Sequence, residues 1–287
     1  MLTNLFDGVA YGMLLFLIAC GLSVTLGLMN LINLAHGAFA MAGGYITVVL
    51  VNRMGVPFFA ALPLAFFGSA LIGLLLERTL YIHIYRKPHL DQVMFSIGLV
   101  FMAMSGTGWL LGTGQVFVDL PKFLSYRFDI FGLLSVGAYR LLIIAVCGVL
   151  ALTLQLAIAK TRFGAQLRAA VDDPTVARGL GINVDLVFAV TFSVGSGLAG
   201  LGGALGAELL GLDPSFPVKF MVYFLIVVAV GGSAGMVGPL VAALLLGVAD
   251  VSGKYYLPEV GAFIIYLVMI VVLLWRPQGL FSRAGGR

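Results

Sequence analysis

Residues able to carry out metal or covalent chemistry are few in this chain of 287 residues. The three histidines, His36, His83 and His89, form no H-E-x-x-H pair, and Cys20 and Cys147 both lie within apolar runs. Zinc sites need clustered ligands, and a nucleotide-binding P-loop needs the pattern G-x-x-x-x-G-K-[ST], which the sequence lacks. The sequence therefore predicts that this chain is not an enzyme and holds neither a metal nor ATP.

Charged side chains are concentrated in one stretch, TRFGAQLRAAVDDPTVARGLGINVD, residues 161–185, which carries three arginines and three aspartates. Residues 163–171 have the composition of a short helix, and Asp173 followed by Pro174 predicts the capped start of a second helix that ends near Gly179. Helices this short are marginal in water, so we expect them to rest on something else. A partner protein is one candidate, and a solvated loop is the alternative.

Polar side chains that could contact a solute lie in NLINLAHGAFAMAGG, residues 30–44. At about 100° per residue, one helical face of about 80° holds Asn30, Asn33, Gly37, Ala40 and Gly44. His36 lies at the margin of this face. Amide and imidazole groups are costly on an apolar surface, so they should point into the protein. They would either line a solute pathway or bond neighbouring helices.

The elements that position these groups are membrane spans. The chain is 61% hydrophobic with a mean hydropathy of +1.12, and a span needs roughly 20 apolar residues. Seven full spans are predicted at residues 8–29, 31–51, 57–76, 92–111, 139–159, 186–211 and 259–275. Together with a broken segment at 219–249, they predict an all-α polytopic membrane protein.

The segment 219–249 is interrupted by GGSAGMVGP, so each half is too short for an ordinary crossing. It is expected to be either a re-entrant pair or two short spans. Irregular backbone at membrane depth is tolerated where protein covers it or where it lines a wet cavity. The pathway candidates are Gly231, Gly232, Ser233, Gly235, Gly238 and Pro239. An ordinary turn at the cytoplasmic surface is the alternative.

Basic residues fall into two groups along the chain, and loop asymmetry explains the net charge of +4 without nucleic acid. The loops 77–91 and 160–185 and the carboxyl-terminal tail hold ten basic residues, which should be cytoplasmic. The other six are Arg53, Lys122, Arg127, Arg140, Lys219 and Lys254. This scheme puts the amino terminus outside and the carboxyl terminus inside, and it requires 219–249 to return to its starting side.

Small residues recur every four positions in the sixth span, at Gly195, Ala199, Gly203, Ala207 and Gly211. They form a groove in which another helix should lie closely. Two carboxylates, Glu208 and Asp250, could couple transport to an ion gradient in a secondary carrier. A passive small-solute channel built on the broken segment is a further alternative.

The stretch 161–183 resembles the cytoplasmic coupling loop of permease subunits in the branched-chain (hydrophobic) amino acid family of ABC importers. The matching positions are Thr161, Phe163, Gly164, Arg168, Ala169, Asp173, Ala177, Gly181, Ile182 and Asn183. INLAHG (32–37), GGSAGMVGPLVAALLLG (231–247) and RPQGLF (276–281) are similar to other segments of that family. The short amino terminus and INLAHG favour the shorter of its two permease types. Ser233 and Ala234 depart from the family's more usual Gly or Met followed by Gly.

The resemblance implies a single transmembrane permease domain over 1–287, with a coupling loop at 160–185, in a bacterial inner membrane. The implied partners are a second, related permease subunit, two cytoplasmic ATPase subunits that use ATP and Mg, and a periplasmic or lipid-anchored solute-binding protein. No cofactor is implied for this chain. The external connection 113–138, with Asp119, Lys122, Arg127 and Asp129, would receive the binding protein.

Overall fold

The structure, a computed structural model, describes residues 2–29, 31, 33–85, 87–130, 134–232 and 235–281, most of which are α-helical. The helices are α1 (Leu2–Met29), α2 (His36–Val48), α3 (Phe58–Thr79), α4 (His89–Leu111), α5 (Ala138–Lys160), α6 (Arg162–Asp172), α7 (Pro174–Gly179), α8 (Val184–Leu210), α9 (Phe216–Gly231), α10 (Val237–Tyr256) and α11 (Gly261–Trp275). A π-helical turn at Val49–Arg53 extends α2, and 3-10 turns occur at Tyr81–His83 and Lys122–Leu124. Two short antiparallel strands, β1 (Arg127–Ile130) and β2 (Leu134–Gly137), form a hairpin.

Six of the described helices are long and apolar enough to cross a membrane, namely α1, α3, α4, α5, α8 and α10. Five of them coincide with predicted spans, and α10 is the second half of the broken segment 219–249. The other two predicted full spans, 31–51 and 259–275, correspond to shorter helices. α2 has 13 residues and α11 has 15. The all-α polytopic membrane architecture is confirmed.

Proline and glycine set many of the helix boundaries. Pro57 and Pro88 directly precede α3 and α4, where the fixed φ of proline suits the start of a helix. Gly112, Gly211 and Gly232 follow the ends of α4, α8 and α9 with φ of 93°, 64° and 80°. Residues that carry a side chain rarely adopt these positive φ values, so glycine allows the chain to leave the helix at each of these points.

The bundle has two ends that differ in chemistry, and α5 joins them over about 34 Å at 1.5 Å per residue. α5 begins directly after β2 and ends directly before α6. At the end that carries the β-hairpin, which we call the hairpin end, Ser135 donates its backbone N–H to Thr3 of α1 at 3.4 Å. Val116 pairs with Leu212 after α8 at the same end. We call the opposite end the α6–α7 end.

The helix α8 lies at the centre of the core and packs against α1, α2 and α3. An added Cβ at Gly203 would overlap the Ala40 carbonyl of α2, and one at Gly195 would touch the Gly21 backbone of α1. Two residues of the predicted groove, Gly195 and Gly203, are thus in close contact with two different helices instead of one, whereas Gly211 follows the end of α8 and faces the Gln115 side chain. Close approach of backbones is the usual basis of helix packing in membranes.

Candidate translocation and coupling sites

The helix α2 begins inside the bundle instead of at its surface. The His36 ring donates from Nε2 to the Ile18 carbonyl oxygen at 2.7 Å, and Ile18 lies near the middle of α1. A carbonyl can only accept, so this bond assigns the proton to Nε2. The end of the non-helical link that leads into α2 therefore lies level with the middle of α1, inside the bundle.

Asn33 holds this link in place. Its Oδ1 accepts the Ala35 backbone N–H at 3.1 Å and the Tyr81 hydroxyl at 2.7 Å, and both side chains are buried. Asn33 could be recognised as a candidate from the sequence, but Tyr81, which lies 48 residues further along the chain, could not. No sequence pattern relates the two residues. Asn30 lies outside the described residues.

The glycines of the same face are in close contact with other parts of the chain. A Cβ at Gly37 would lie 3.0 Å from Pro217, and a Cβ at Gly44 would meet the Leu212 side chain. In this conformation Asn33, His36, Gly37 and Gly44 are all buried. The sequence allowed these residues either to line a solute pathway or to bond neighbouring helices. Their contacts in this conformation match the second role.

The glycine-rich turn between α9 and α10 is covered by the carboxyl-terminal tail. Leu280 donates its N–H to the Val230 carbonyl at 2.8 Å, and Phe281 donates to the Gly231 carbonyl at 3.2 Å. Gly231, Gly232, Gly238 and Pro239 are buried, and Gly235 is exposed with φ of 119°. Ser233 lies outside the described residues. The tail motif RPQGLF therefore closes this turn, a role that the sequence did not indicate.

The segment 219–249 returns to its starting end, as parity predicted. Lys219 near the start of α9 and Lys254 near the end of α10 line the same cavity. Gly231 and Gly238 are in direct contact where the two helices meet at the turn. α9 and α10 are therefore an antiparallel pair of 16 and 20 residues.

This cavity, which we call the polar cavity, lies at the hairpin end and has a volume of about 460 Å³. Its polar lining comes from four helices and consists of Asp7, Tyr11, Arg140, Lys219, Tyr223, Asp250 and Lys254. Arg140 pairs with Asp7, and Lys254 Nζ lies 2.6 Å from Asp250 Oδ2. The sequence did not group these residues, because they are far apart along the chain.

A third ion pair lies beside the polar cavity, between Lys219 and Asp213 in the link that precedes α9. Asp213 Oδ1 also accepts the Ser215 backbone N–H at 2.7 Å. Burial alone would raise the pKa of Asp213, but the hydrogen bonds from Lys219 and Ser215 outweigh it and hold that pKa below its usual value. Asp213 thus fixes the chain at the start of α9 and orients Lys219 at the rim.

The helices α6 and α7 form as the sequence predicted. Asp173 Oδ1 accepts the backbone N–H groups of Thr175 and Val176 at 2.8 and 3.0 Å, with Pro174 as the first residue of α7. Thr161 caps α6 in the same way by accepting from Gly164 at 3.1 Å. Side-chain caps of this kind satisfy the free N–H groups of a helix start.

Most of the predicted coupling residues hold α6 and α7 against the rest of the chain. Arg168 donates to the Ile158 carbonyl of α5, and a Cβ at Gly164 would overlap that same carbonyl. Ala177 is buried with Leu167, Ala170, Val184 and Val187 in a small apolar cluster at the start of α8, and Ile182 packs against it. Gly181 has φ of 84°, and Ala169 is half-buried. Part of the support expected for these short helices therefore comes from α5 and α8 of the same chain.

The outer surface of α6–α7 carries apolar side chains that the sequence did not single out. Val176 is 57% exposed and Leu180 is 75% exposed, whereas Phe163, a predicted coupling residue, is 37% exposed. We call these three residues the coupling surface. Large apolar side chains that are exposed are typical of sites that interact with another protein or a membrane.

The family model for the permease component of branched-chain amino acid transport systems matches residues 4–273. The chain belongs to this family. The permease is 30% identical to the high-affinity branched-chain amino acid transport system permease protein BraD of Pseudomonas aeruginosa, over 98% of this chain and 96% of that protein. It is 28% identical to LivH, a permease protein of the same description, of Salmonella typhimurium, also over 98% and 96%. No solved structure matches it at a significant level.

The permease is of the shorter type. It covers 96% of the Salmonella LivH protein but only 68% of the LivM permease protein of the same organism, to which it is 25% identical. Membership in a family of permease components bears out the prediction that the chain is not itself an enzyme. It also disfavours the ion-coupled carrier and the passive channel.

Proposed function

We propose that this permease is one of two permease subunits of an ATP-driven importer for branched-chain or other hydrophobic amino acids. Matches to both LivH and LivM proteins support a pair of related but different permease chains. Two ATPase subunits would supply ATP hydrolysis with Mg, and a periplasmic or lipid-anchored solute-binding protein would deliver the substrate. The single transmembrane domain over 1–287 would hold no cofactor of its own.

The α6–α7 end faces the cytoplasm of a bacterial inner membrane in this proposal. Lys219, Lys254, Arg140 and Arg53 all belong to the hairpin end, whereas Lys160, Arg162, Arg168 and Arg178 belong to the α6–α7 end. Arg78 at the end of α3, Lys87 before α4 and Arg276 after α11 bring the α6–α7 end to seven described basic residues, and Lys122 and Arg127 bring the hairpin end to six. Cytoplasmic ends of membrane proteins carry this excess. The amino terminus would then lie outside.

The observation that carries the proposal is the coupling surface on a firmly held α6–α7 unit. Arg168, Gly164 and the apolar cluster with Val184 fix this unit to α5 and α8, while Val176 and Leu180 remain exposed. A rigid unit with an apolar outer surface can transmit the movement of an ATPase subunit docked on it. Within residues 160–185, Thr161 and Asp173 would act as caps that keep the unit folded.

The translocation route would begin at the polar cavity and continue past the start of α2. We propose that Asn30, Asn33, His36, Gly37 and Gly44 on one side, and Gly231, Gly232, Ser233, Gly235 and Gly238 on the other, line it when the subunits move apart. The link before α2 brings non-helical backbone into the bundle, and the glycine-rich turn interrupts the segment 219–249; transporters commonly place their routes at interrupted helices. ATP would bias the equilibrium between outward-open and inward-open states.

The hairpin end would receive the solute-binding protein. Asn52 Nδ2 donates to the Phe117 carbonyl at 2.9 Å, and Asn52 Oδ1 accepts the Asp119 N–H at 3.0 Å. These bonds hold the first part of the connection 113–138 against the π-helical turn that extends α2. Lys122 and Arg127 are exposed there and would contribute charge complementarity to a binding protein.

Uptake by the reconstituted importer tests the proposed function. Proteoliposomes would contain this permease with the second permease chain and the ATPase subunits of the same organism, with binding protein and labelled leucine added outside. Leucine should accumulate only when ATP is present on the side of α6–α7, and a protonophore should have no effect. Uptake that survives without ATP and collapses with the protonophore would instead establish an ion-coupled carrier.

A further inference from the structure

The floor of the polar cavity is a buried carboxylate with an unused oxygen. Asp250 is 1% exposed, and Lys254 binds its Oδ2 at 2.6 Å. Within the described part of the chain, no hydrogen-bond donor reaches Asp250 Oδ1. A buried acceptor without a donor costs about 1–3 kcal/mol, and more if it is charged, so such an atom needs an explanation. Asp250 lines the cavity, and a small rotation of its carboxylate would let Oδ1 accept from a donor that the described chain does not supply.

The rim of the polar cavity has the opposite charge. Lys219 and Lys254 have side chains that are 57% and 49% exposed, and Arg140 lines the same space. Each cation already has one carboxylate partner, in Asp213, Asp250 and Asp7 respectively. An ammonium has three donors and a guanidinium has five. The rim can therefore still donate hydrogen bonds to a further anionic group.

Apolar side chains complete the wall between floor and rim. Leu209, Leu210, Phe220 and Val251 line the cavity together with the ring of Tyr11. The volume of about 460 Å³ lies within the range of roughly 300–1,000 Å³ that is usual for small-molecule sites. A ligand here can thus place an apolar group on the wall while its polar groups reach the charges.

We infer that the polar cavity binds a hydrophobic α-amino acid as its zwitterion. Its ammonium group donates to Asp250 Oδ1, its carboxylate accepts from Lys219 and Lys254, and its side chain lies against Leu209 and Val251. A simple anion would leave the floor oxygen unpaired, and a simple cation would face the lysines of the rim. This inference rests on the proposed function for the source of the ligand, and it assigns to this chain a substrate site of its own.

Protection of a cysteine in the cavity wall tests the inference directly. A Val251→Cys variant of the assembled importer would be modified with a water-soluble thiol reagent, without binding protein or nucleotide. Cys20 and Cys147 are fully buried and should not react. L-Leucine should slow the modification several-fold. The same side chain without the ammonium, as 4-methylpentanoate, or without the carboxylate, as 3-methylbutylamine, should protect far less.

Two further substitutions in the Val251→Cys background assign the ammonium contact. Asp250→Asn should abolish protection by leucine, whereas Glu259→Gln should preserve it, because Glu259 is exposed in the link between α10 and α11 at the same end. Equal protection by leucine and 4-methylpentanoate, or none by leucine, overturns the inference even if Asp250→Asn fails to assemble. ATP-driven uptake without protection would overturn the proposed site but not the proposed function. Protection without ATP-driven uptake would overturn the proposed function but not the proposed site.

Discussion

Single glycines determine how closely the central helices of this permease approach each other. Gly203 of α8 faces the Ala40 carbonyl of α2, and Gly43 of α2 faces the Gly200 backbone of α8. Lipid is as apolar as a leucine side chain, so helices in a membrane associate through close packing more than through the hydrophobic effect. A methyl group at these contacts separates backbones that now touch.

Replacing Gly203 with alanine should lower the melting temperature of the purified permease. The added methyl group overlaps the Ala40 carbonyl, which is backbone and cannot rotate away. Overpacking of this kind typically costs about 1–3 kcal/mol. Thermal unfolding in detergent, followed by loss of monodisperse protein on heating, measures the change.

Gly98→Ala is the matched control for that variant. Gly98 lies within α4, and an added Cβ there meets nothing within 4 Å. Alanine is favoured over glycine by about 0.5–1 kcal/mol within a helix, so this variant should be at least as stable as the unchanged chain. The same melting temperature for both variants would show that Gly203 does not set the distance between α2 and α8.

Two segments of the fold, the α9–α10 pair and the link that precedes α2, depart from a single straight helix across the membrane. α9 and α10 form an antiparallel pair, and the tail covers the turn between them through Leu280 and Phe281. α2 begins at depth because Asn33 and Tyr81 hold the preceding link in a non-helical form. Both breaks leave backbone groups that neighbouring segments must satisfy, and among the described residues the tail does so for the Val230 and Gly231 carbonyls and Asn33 for the Ala35 N–H.

Impermeant labelling of single cysteines in intact cells tests the arrangement and orientation of α9 and α10. Lys219→Cys and Lys254→Cys should both react, because both positions are about half exposed at the hairpin end. Lys87→Cys, exposed before α4 at the α6–α7 end but outside the coupling surface, is the control and should react only after the cells are permeabilised. One labelled and one protected lysine position would show that α9 and α10 do not return. Labelling of Lys87→Cys alone would invert the orientation.

The elements that could be predicted from sequence are those set by local signals. Asp173 followed by Pro174 fixed the start of α7, and the break at 231–239 was recognised because glycine and proline disfavour a continuous helix. The late start of α2 could not be predicted, since the hydrogen bond from Tyr81 to Asn33 is tertiary. The polar cavity was missed for the same reason: Asp7, Arg140 and Asp250 meet only after four helices pack.

At the scale of the whole molecule, α8 connects the two functional ends. It has 27 residues and is about 40 Å long at 1.5 Å per residue. At one end the apolar cluster with Val184 and Val187 fixes it to α6 and α7, and at the other end Leu209 and Leu210 line the polar cavity. A displacement of α6–α7 would therefore be carried along α8 to the cavity.

ATPase subunits are expected to act on this permease through the coupling surface. Substrate-stimulated ATP hydrolysis by the assembled importer with Leu180→Asp tests this expectation. Burying a leucine at an interface contributes about 1.5–3 kcal/mol, so introducing a charge there should weaken docking by about tenfold or more.

Leu90→Asp provides the comparison, because Leu90 at the start of α4 is 71% exposed and Leu180 is 75% exposed. Both variants should insert and fold like the unchanged chain. We expect Leu180→Asp to lose stimulated hydrolysis and copurification of the ATPase subunits, and Leu90→Asp to retain both. Full stimulation with Leu180→Asp, at the level of Leu90→Asp, would contradict this expectation.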